Sequence, residues 1–542
     1  MTATEARLGA TAASDAEIAA RLTSLVEHGR WREMLALAAT CVSERPLDPA
    51  WTVSAIDKLV SYHIVSLPLL RNALEPARLD LSSVPTGRPP YETLAIEARD
   101  VAAVLADDLF RRPALGVPAL VACGRLFETR DDPRAGEVAD RLAALPTSPA
   151  LAHFRARLLA VAGRHADGAL ALQALRPEAS APAIVPIASR LPHDVPSIDT
   201  IACGVHFDGV RYGKSFQAPN TEPDCDEFRD VELVGRFFFP VDTEGVAHVD
   251  GLVSEPENVF GMASLEPDHW RHHGRRAHVA TWSPGALMLD VPRRRARHFD
   301  AALLLGTAYA DNYFHWLLEV LPRLAVLPHL PNPGRVALLV GHPLRRWQAE
   351  TLTMLGIDAE RVVTVAEDES VTCGTLWAPS TATTNGLVTP FAAEFVRERL
   401  GRRGARRRKI YCPRASGMRH VLNDGEIARA AVARGYELFD PTHMTVADQV
   451  RLFSDAAVVA GPTGAALANA VFAPEGAQLV VLNARAFVFS TYVSQAHVCG
   501  QGAHVAIGIE REMAMLQRHW DYAVDPRDVI AALDAAESAL AA

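Results

Sequence analysis

The sequence predicts an α/β protein that has two doubly wound units behind an all-helical N-terminal region. From about Asp15 to Arg176, alanine and leucine recur every three to four residues, and the breaks fall at short proline or glycine clusters. From Ala301 onward, strand-like and helix-like segments alternate, which is typical of parallel sheets covered by helices. A second alternating series follows an arginine-rich linker at residues 402–409.

Length and charge limit what the protein can be. A chain of 542 residues with 49% hydrophobic content can bury several cores, so we expect about three packed units. Lys and Arg number 54 against 64 Asp and Glu, a net charge of -10, which argues against general attraction to nucleic acid or an anionic membrane. Basic clusters at 293–297 and 402–409 are interpreted as solvated linker charge unless a site lies beside them.

Cysteine usage and the N-terminus predict a cytoplasmic protein. The seven cysteines include no CxxC pair, and an odd count argues against a closed disulfide framework, so a reducing compartment fits best. The N-terminus lacks a basic start followed by an apolar run, and no stretch approaches the roughly 20 apolar residues that span a bilayer. We therefore expect a soluble chain without an export signal.

The N-terminal helices resemble degenerate tetratricopeptide-type repeats in two places. Residues 25–51 and 158–179 each predict a helix, a glycine-containing turn and a second helix. A helical solenoid or an irregular bundle would satisfy this pattern. We expect it to serve a protein partner or self-association.

Proline-rich sequence between residues 181 and 196 marks the next boundary, and short Val- and Phe-rich runs after it predict strands. The predicted units are a helical domain at 1–185, an α/β lobe at 186–400, a second α/β lobe at 401–515 and a C-terminal helix at 516–542. The last helix is amphipathic and is expected to pack on the first lobe.

A glycine-rich turn in the second unit predicts a phosphate site. The apolar run 456–460 leads directly into Gly461, Thr463 and Gly464, and a small-residue helix follows. Glycine lets a ligand approach the main chain, and the free N–H groups of a helix start favour anions. An ordinary strand-to-helix turn is the alternative interpretation.

A helix near residue 312 carries a mixed polar face. At about 100° per residue, one side of this helix presents four polar residues: Asn312, His315, Glu319 and Arg323. An imidazole and a carboxylate one turn apart can form a hydrogen-bonded pair in which the carboxylate orients a general base. The same spacing also occurs in surface pairs and in satisfied interior histidines. Pro322 removes a helical hydrogen bond, so we expect the helix to kink or end there.

A third segment, Lys409–Ile427, begins as a strand that ends at Arg414. Arginine at a strand end suits bidentate phosphate binding, and Arg419 in the following turn is a second candidate. Asn423 and Glu426 have the spacing of a helix-capping pair.

The histidine-rich run between residues 269 and 278 is interpreted as a polar loop. It contains His269, His272, His273 and His278. Regular ligand spacing and a carboxylate partner are missing, and neighbouring arginines repel cations, so no metal site is expected.

Taken together, the three motifs resemble glycosyltransferase family 61, also called domain of unknown function 563, over about Cys203 to Ile507. The first motif, N-Y-F-H-W with a following acidic residue and L-P-R, is matched by Asn312 to Trp316, Glu319 and Leu321 to Arg323. The second, K-I-Y-x-x-R with R-x-x-x-N downstream, is matched by Lys409 to Arg414, Arg419 and Asn423. The third, G-x-H-G-A-x-L-x-N, is matched by Gly461, Gly464, Ala465, Leu467 and Asn469.

Two positions depart from the family pattern. Thr463 stands where the family usually has histidine, and Asn483 stands where an acidic residue commonly follows the last strand. Threonine can still hydrogen-bond a phosphate, but it supplies no charge and cannot act as a base.

The resemblance implies a GT-B-like pair of Rossmann-type lobes, each with a parallel sheet. It also implies inverting transfer of a sugar from a nucleotide donor, typically UDP-linked, to a hydroxyl of a glycan or glycoconjugate, as in polysaccharide biosynthesis. His315 is the expected base and Glu319 its orienting partner, with Asp311 or Glu319 acting directly as the alternative. No metal or cofactor is required, because arginine and N–H groups can hold the leaving diphosphate.

The expected donor-binding residues are Arg414, Arg419, Gly461, Thr463, Gly464, Ala465 and Asn469, and the expected acceptor-side residues are Asn312 and Trp316. Two other classes of function stay open at this point. The chain could bind nucleotide sugar or glycan without turnover, or it could be a helical-repeat scaffold with a vestigial transferase domain.

Overall fold

The fold is taken from a computed structural model. The structure describes residues 17, 20, 21, 37, 48–61, 91–129, 132–146, 148–173, 183–188, 197–207, 210–219, 225–234, 239–244, 247–248, 279–283, 286–289, 294–307, 309–366, 369–380, 382–384, 387–414, 419–484, 490–510 and 521–541. The histidine-rich run at 269–278 and most of the first predicted repeat, 25–51, lie outside these residues.

The described N-terminal region consists of helices. They are α1 (Pro49–Ser61), α2 (Tyr91–Phe110), α3 (Val117–Thr129), α4 (Arg134–Ala143), α5 (Pro149–Val161) and α6 (His165–Gln173). Their apolar faces share one core that includes Leu105, Phe127 and Leu158. Gly163, at a φ of 73°, makes the turn between α5 and α6 that the second predicted repeat requires. The all-helical domain and its repeat character stay predictions for residues 1–185.

Strands follow from residue 183. They are β1 (Ala183–Ala188), β2 (Ser197–Phe207), β3 (Val210–Pro219), β4 (Cys225–Val234), β5 (Phe239–Val241), β6 (Ala247–His248), β7 (Val279–Ser283), β8 (Ala286–Leu289), β9 (Arg294–Leu304), β10 (Ala337–Val340), β11 (Val362–Thr364), β12 (Glu369–Pro379), β13 (Thr383–Thr384), β14 (Leu387–Val388), β15 (Arg408–Tyr411), β16 (Glu437–Leu438), β17 (Ala456–Pro462), β18 (Gln478–Ala484), β19 (Gly502–Glu510) and β20 (Tyr522–Val524).

The helices of this part alternate with the later strands. They are α7 (Tyr313–His315), which continues as a π turn (Trp316–Val320) and a 3-10 helix (Leu321–His329), then α8 (Arg346–Met354), α9 (Pro390–Arg399), α10 (Asp424–Ala433), α11 (Val446–Ser454), a 3-10 helix (Ala465–Phe472), α12 (Thr491–Val498) and α13 (Pro526–Ala541). Short 3-10 turns lie at Pro333–Arg335, Ala359–Arg361 and Pro441–His443.

Two large sheets organise the described strands. The first sheet has the order β11-β10-β9-β12-β4-β5-β6-β1-β8-β7, and its first four strands are mutually parallel. Strand β4 then pairs antiparallel with β12, so this sheet is mixed. The expectation of a parallel sheet in the first lobe was therefore wrong beyond β12.

The second sheet fits the doubly wound prediction closely. Its order is β16-β15-β17-β18-β19-β2-β3, with β20 also pairing with β19. All neighbours from β16 to β2 are parallel, whereas the β2–β3 hairpin closes the edge in antiparallel fashion. This hairpin precedes the first sheet's β4 in the chain, within the predicted range 186–400, yet it belongs to the second sheet.

One hydrophobic core reaches from the first sheet to the second. It contains Leu303 and Val340 of the first sheet, Val459 and Leu479 of the second, and the helix that begins at Tyr313. That helix therefore lies where residues of both sheets meet.

The C-terminal helix packs on the second sheet. Helix α13 contacts β17, β18, β19 and β2, and Lys409 of β15 pairs with Glu537 at 3.1 Å. The expectation that it packs on the first lobe was wrong, because its buried Val529 and Leu533 belong to the core on the α10 side of the second sheet. Within the described part of the chain, no helix has the length and apolar character needed to span a membrane.

Candidate active site

The first motif forms an irregular helix whose start is capped by Asn312. The side-chain oxygen of Asn312 accepts a hydrogen bond from the N–H of Phe314 at 2.9 Å. This is an N-cap interaction, which satisfies a donor that the first turn leaves free. Asn312 is exposed.

The helix continues past Pro322 instead of ending there. Leu321 N–H bonds to the carbonyl of Trp316, five residues back, which closes a π turn. A π turn tolerates the proline that follows, because the backbone then tightens into a 3-10 helix with Pro322 in its first turn. The predicted kink is thus a change of helix type, and it keeps Glu319 and Arg323 on connected turns.

His315 and Glu319 form the predicted pair. His315 Nδ1 lies 2.8 Å from Glu319 Oε2, while the hydroxyl of Thr383 lies 2.7 Å from Oε1. Burial would raise the pKa of Glu319, but the adjacent His315 ring, the Thr383 hydroxyl and the Arg323 charge outweigh it and lower this pKa. Glu319 is therefore a carboxylate at neutral pH.

The ionised carboxylate fixes the tautomer of His315. A carboxylate only accepts hydrogen bonds, so Nδ1 of His315 must carry the proton in this pair. Among the described residues, the other ring nitrogen, Nε2, has no hydrogen-bond partner. The side chain of His315 is 27% exposed against 5% for Glu319. Nε2 is therefore the atom that can receive a proton from a bound molecule.

Arg323 lies next to Glu319 and is buried. It is 1% exposed, and its Nη1 donates to the carbonyl of Leu304 at 3.3 Å. Burial lowers the pKa of Arg323 to about 10, and the neighbouring Glu319 carboxylate opposes that decrease. The guanidinium stays charged at neutral pH and offsets the negative charge of Glu319.

Aromatic rings surround His315 and link it to the second sheet. Tyr309 stacks on the imidazole with ring centroids 5.0 Å apart, and Phe314 meets it edge-on at 5.3 Å. Phe314 also packs edge-on against Tyr492 of α12 at 5.8 Å. Asp311, the alternative base, pairs with Arg345 at 3.7 Å. His315 thus keeps one partly exposed ring nitrogen beside Tyr309, whereas Asp311 lies next to a cation.

Trp316 is a core residue. Its side chain is fully buried, and its indole N–H donates to the Thr351 hydroxyl at 2.8 Å. A residue without exposed surface cannot contact an acceptor, so the acceptor-side assignment of Trp316 does not hold. The π turn that begins at Trp316 directs this side chain toward α8.

Gly461 and Gly464 are needed for packing of the chain itself. A Cβ on Gly461 would lie 2.5 Å from the carbonyl oxygen of Cys412, on the neighbouring strand. A Cβ on Gly464 would lie 2.2 Å from Nη1 of Arg414. The second glycine therefore leaves room for a guanidinium above the turn, a role that the motif alone did not predict.

Arg414 lies over this turn. Its Nη1 donates to the carbonyl of Thr463 at 2.6 Å, and its backbone N–H donates to Asp424 at 3.2 Å. Burial lowers the pKa of Arg414. Nε is buried without a partner among the described residues, so part of the donor capacity of this guanidinium is unused. Thr463 is itself 2% exposed, and its carbonyl is the group that meets the arginine.

Tyr492 joins the two halves of the site, and none of the sequence motifs includes it. Its hydroxyl donates to the carbonyl of Gly464 at 2.6 Å. Burial raises the pKa of Tyr492, while the charges of Arg419 and Arg414 both act to lower it. Both predicted arginines therefore lie near one phenol ring, and that ring also touches Phe314, the neighbour of His315.

The main chain after the turn adds donors. The 3-10 helix begins at Ala465 with Gly464 as its N-cap. Among the described residues, the N–H groups of Gly464 and Ala465 have no acceptor. Together with the positive charges of Arg414 and Arg419 nearby, these N–H groups are donors of the kind that favour an anion.

Asn469 serves the structure, so its donor-binding assignment does not hold. It is fully buried, accepts from the Tyr313 hydroxyl at 2.8 Å and donates to Gln449 at 2.8 Å. These bonds join the His315 helix to α11 and leave Asn469 no surface for a ligand. The pattern G-x-x-G-A-x-L-x-N thus combines a turn that has unused N–H donors with a packing residue.

The predicted helix-capping pair of Asn423 and Glu426 does not form through the Asn423 side chain. The Asn423 side chain makes no cap bond and instead donates to the Val524 carbonyl at 2.7 Å and accepts its N–H at 3.2 Å. The adjacent Asp424 holds the Arg414 backbone and accepts from the Tyr411 hydroxyl. Burial raises the pKa of Asp424, against the effect of these two bonds. Asp424 therefore helps to position Arg414. The capping interpretation did not predict this role.

The two departures from the family pattern are neighbours in space. Strands β17 and β18 pair Pro462 with Leu482, and the N–H of Thr463 donates to the Leu482 carbonyl at 2.8 Å. Thr463 and Asn483 each come directly after one of these paired residues, so they lie side by side. Asn483 is fully buried, and neither amide atom has a partner among the described residues.

No metal-binding group of three or more His, Cys, Asp or Glu occurs in the part of the chain that the structure describes. The six described cysteines are free.

The model of the family described as glycosyltransferase 61 matches residues 313–480. This region begins one residue after Asn312 and contains His315, Glu319, Arg414 and the Gly464 turn. No curated protein matches the chain. Both halves of the site thus lie inside residues 313–480, the region that is similar to glycosyltransferase family 61.

Proposed function

We propose that the chain is an inverting glycosyltransferase that moves a sugar from a UDP-sugar to a hydroxyl of a glycan or glycoconjugate. The family domain supports glycosyl transfer in general, with a donor and an acceptor as substrates. One observation carries the finer proposal. The histidine–carboxylate pair and the arginine-covered turn meet on either side of the contact between Phe314 and Tyr492.

His315 is the base in this proposal. Inversion by direct displacement requires that the acceptor hydroxyl lose its proton as it attacks the sugar's anomeric carbon. Nε2 of His315 has the free lone pair, because Glu319 holds Nδ1–H. The resulting imidazolium is stabilised by the Glu319 carboxylate, whose pKa is lowered, against the effect of burial, by the His315 ring, the Thr383 hydroxyl and the Arg323 charge. The reaction breaks the bond between sugar and diphosphate and forms the new glycosidic bond.

The leaving diphosphate lies at the Gly464 turn in this proposal. Negative charge develops on the diphosphate as the sugar leaves, and prearranged donors stabilise that charge. Arg414 and Arg419 supply cations, and the N–H groups of Gly464 and Ala465 supply further donors. Their place beyond the carboxyl end of β17 is where open α/β sheets bind ligands.

We assign the two sheets to the two lobes of a GT-B-like arrangement. The acceptor side is the lobe of the first sheet, which contributes His315, and the donor side is the lobe of the second sheet. The helix that begins at Tyr313 packs in a core that both sheets share, and this core fixes the position of the acceptor side relative to the donor side.

The test compares alanine variants of the two halves. A panel of nucleotide sugars is first screened by thermal shift, because a ligand of the folded state raises its apparent stability. Release of UDP is then measured for the wild type, His315→Ala and Arg414→Ala. We expect His315→Ala to lose at least about 100-fold in kcat and Arg414→Ala to lose donor binding.

Matched controls are exposed residues of the same type. His329→Ala lies at the end of the same irregular helix, and Arg403→Ala lies in the exposed linker. Both should leave turnover unchanged. Wild-type turnover in His315→Ala and Arg414→Ala would refute these roles. Tight donor binding by the wild type without product from any acceptor would instead favour a non-catalytic binding protein.

A further inference from the structure

We propose that Thr383 is a positioning residue for the base, because its hydroxyl fixes the Glu319 carboxylate that in turn fixes the His315 ring. This inference rests on the proposed function for its catalytic meaning. Its structural content, control of the tautomer and orientation of His315, can be tested without any sugar transfer.

The geometry assigns one donor to each oxygen of the carboxylate. Thr383 Oγ1 lies 2.7 Å from Oε1, and His315 Nδ1 lies 2.8 Å from Oε2. Thr383 is 2% exposed and Glu319 4%, so water cannot readily replace the hydroxyl. A buried carboxylate with two fixed partners cannot rotate, and the imidazole bonded to it keeps one orientation.

The groups around the carboxylate come from several elements. His315 and Arg323 belong to the same irregular helix as Glu319, on either side of it. Cys225 of β4 lies near Arg323 and influences the pKa of its guanidinium. Thr383 is the partner from a separate strand, β13, and it is neutral. Its removal therefore changes hydrogen bonding at Glu319 without adding or removing a charge.

The hairpin β13–β14 is anchored so that the hydroxyl cannot drift. Thr383 pairs with Val388 in this two-stranded sheet. The N–H of Val388 donates to Ser494 of α12 at 3.0 Å, and the Thr389 hydroxyl donates to the Ala382 carbonyl at 2.6 Å. Helix α12 also carries Tyr492, which bonds to the Gly464 turn. The hairpin thus contacts Glu319 through Thr383, and through Val388 it contacts the helix that bonds to the Gly464 turn.

Loss of the hydroxyl has a defined effect. In Thr383→Val, Oε1 is left buried without its donor, which raises the pKa of Glu319 and allows the carboxylate to rotate. Nδ1 then loses part of its fixed acceptor, so a larger share of His315 carries its proton on Nε2. That tautomer has no lone pair for the acceptor hydroxyl.

The experiment uses the full chain with ¹⁵N-labelled histidine. The His315 signals are assigned by their loss in His315→Ala, and nitrogen chemical shifts report the share of each tautomer. We expect the Nδ1–H form to dominate in the wild type and in Thr383→Ser, and to fall clearly in Thr383→Val. If donor turnover is established, kcat of Thr383→Val should fall about 10- to 100-fold with the donor KM unchanged, and Thr383→Ser should restore it.

Thr389→Val is the matched control. Thr389 is equally buried and directly follows the hairpin as the N-cap of α9, but its hydroxyl bonds to main chain and not to Glu319. It should lower stability without changing the His315 tautomer. A wild-type tautomer ratio in Thr383→Val, or an equal change in Thr389→Val, would overturn the inference. A wild-type protein that turns over no donor would defeat the proposed function, whereas the nitrogen shifts would still decide the role of Thr383.

Discussion

Gly464→Ala isolates the relation between the glycine turn and Arg414. The added Cβ would lie 2.2 Å from Nη1 and 3.3 Å from Cζ of Arg414, well inside van der Waals contact. A flexible guanidinium yields more easily than main chain, so Arg414 must leave its 2.6 Å bond to the Thr463 carbonyl. Hydrogen bonds to charged groups contribute about 1.5–3 kcal/mol, so displacement of Arg414 should weaken binding of UDP about 10- to 100-fold.

Isothermal titration with UDP measures this loss directly. Gly334→Ala is the matched control, because no atom lies within 4 Å of its added Cβ. Gly461→Ala should behave differently, since its Cβ would meet the Cys412 carbonyl at 2.5 Å and main chain cannot move aside. That variant should lose stability rather than affinity. Unchanged UDP affinity in a folded Gly464→Ala protein would refute the placement of Arg414 in the donor site.

Two further predictions concern stability. His206 and His504 are buried, and burial is the main reason that the pKa of each is lowered to about 4, from 6.5. The Arg211 charge also lowers the pKa of both, and at His504 the charge of His206 contributes more than that of Arg211. Below pH 6.5 the unfolded chain binds protons that the folded chain excludes, so stability is complete above pH 6.5 and falls by about 2 kcal/mol per histidine by pH 5. Urea unfolding at pH 7 and pH 5 should show this, with a smaller difference in His206→Phe; equal sensitivity in both proteins would contradict it. Tyr313→Phe leaves the buried oxygen of Asn469 without its 2.8 Å donor and should cost about 1–3 kcal/mol of unfolding free energy. A wild-type denaturation midpoint in Tyr313→Phe would contradict a stabilising role of the bond between Tyr313 and Asn469.

The second sheet could be predicted from the sequence because its central strands β17 and β18 are buried on both faces. Residues 456–462 and 478–484 are entirely buried, so their apolar runs are continuous and end sharply at glycine or polar residues. The intervening segments have clear helical periodicity. Local pattern and tertiary burial agree here, and the predicted strands β15 to β18 were therefore confirmed.

The edges of the sheets could not be predicted, because edge pairing depends on distant partners. The β2–β3 hairpin joins β19, about three hundred residues later in the chain, and nothing local specifies that pairing. Helix α13 likewise has an amphipathic face that would suit either sheet, and only the contacts with β19 and β18 decide between them. Periodicity fixes which face of an element is buried but not its partner.

Within the site, charged residues could be predicted from the sequence more reliably than the neutral residues that support them. His315 and Glu319 lie one turn apart on one helix, so spacing alone predicted their bond. Thr383 and Tyr492 come from elements that the motifs do not include, and a buried hydroxyl has no sequence signature. Trp316 was misassigned because a motif residue can be fixed by packing as strongly as by binding.

The two departures from the family pattern are best understood as one change. Thr463 and Asn483 lie side by side at the ends of neighbouring parallel strands, and both replace residues that can carry charge with neutral ones. A histidine beside an acidic residue could share a proton there, whereas a carboxylate without that histidine would be a buried charge that lacks its partner. Neutral residues at both positions avoid that cost. Charge at the turn then comes from Arg414 and Arg419, and this explains why Gly464 must keep the space above the turn open for a guanidinium.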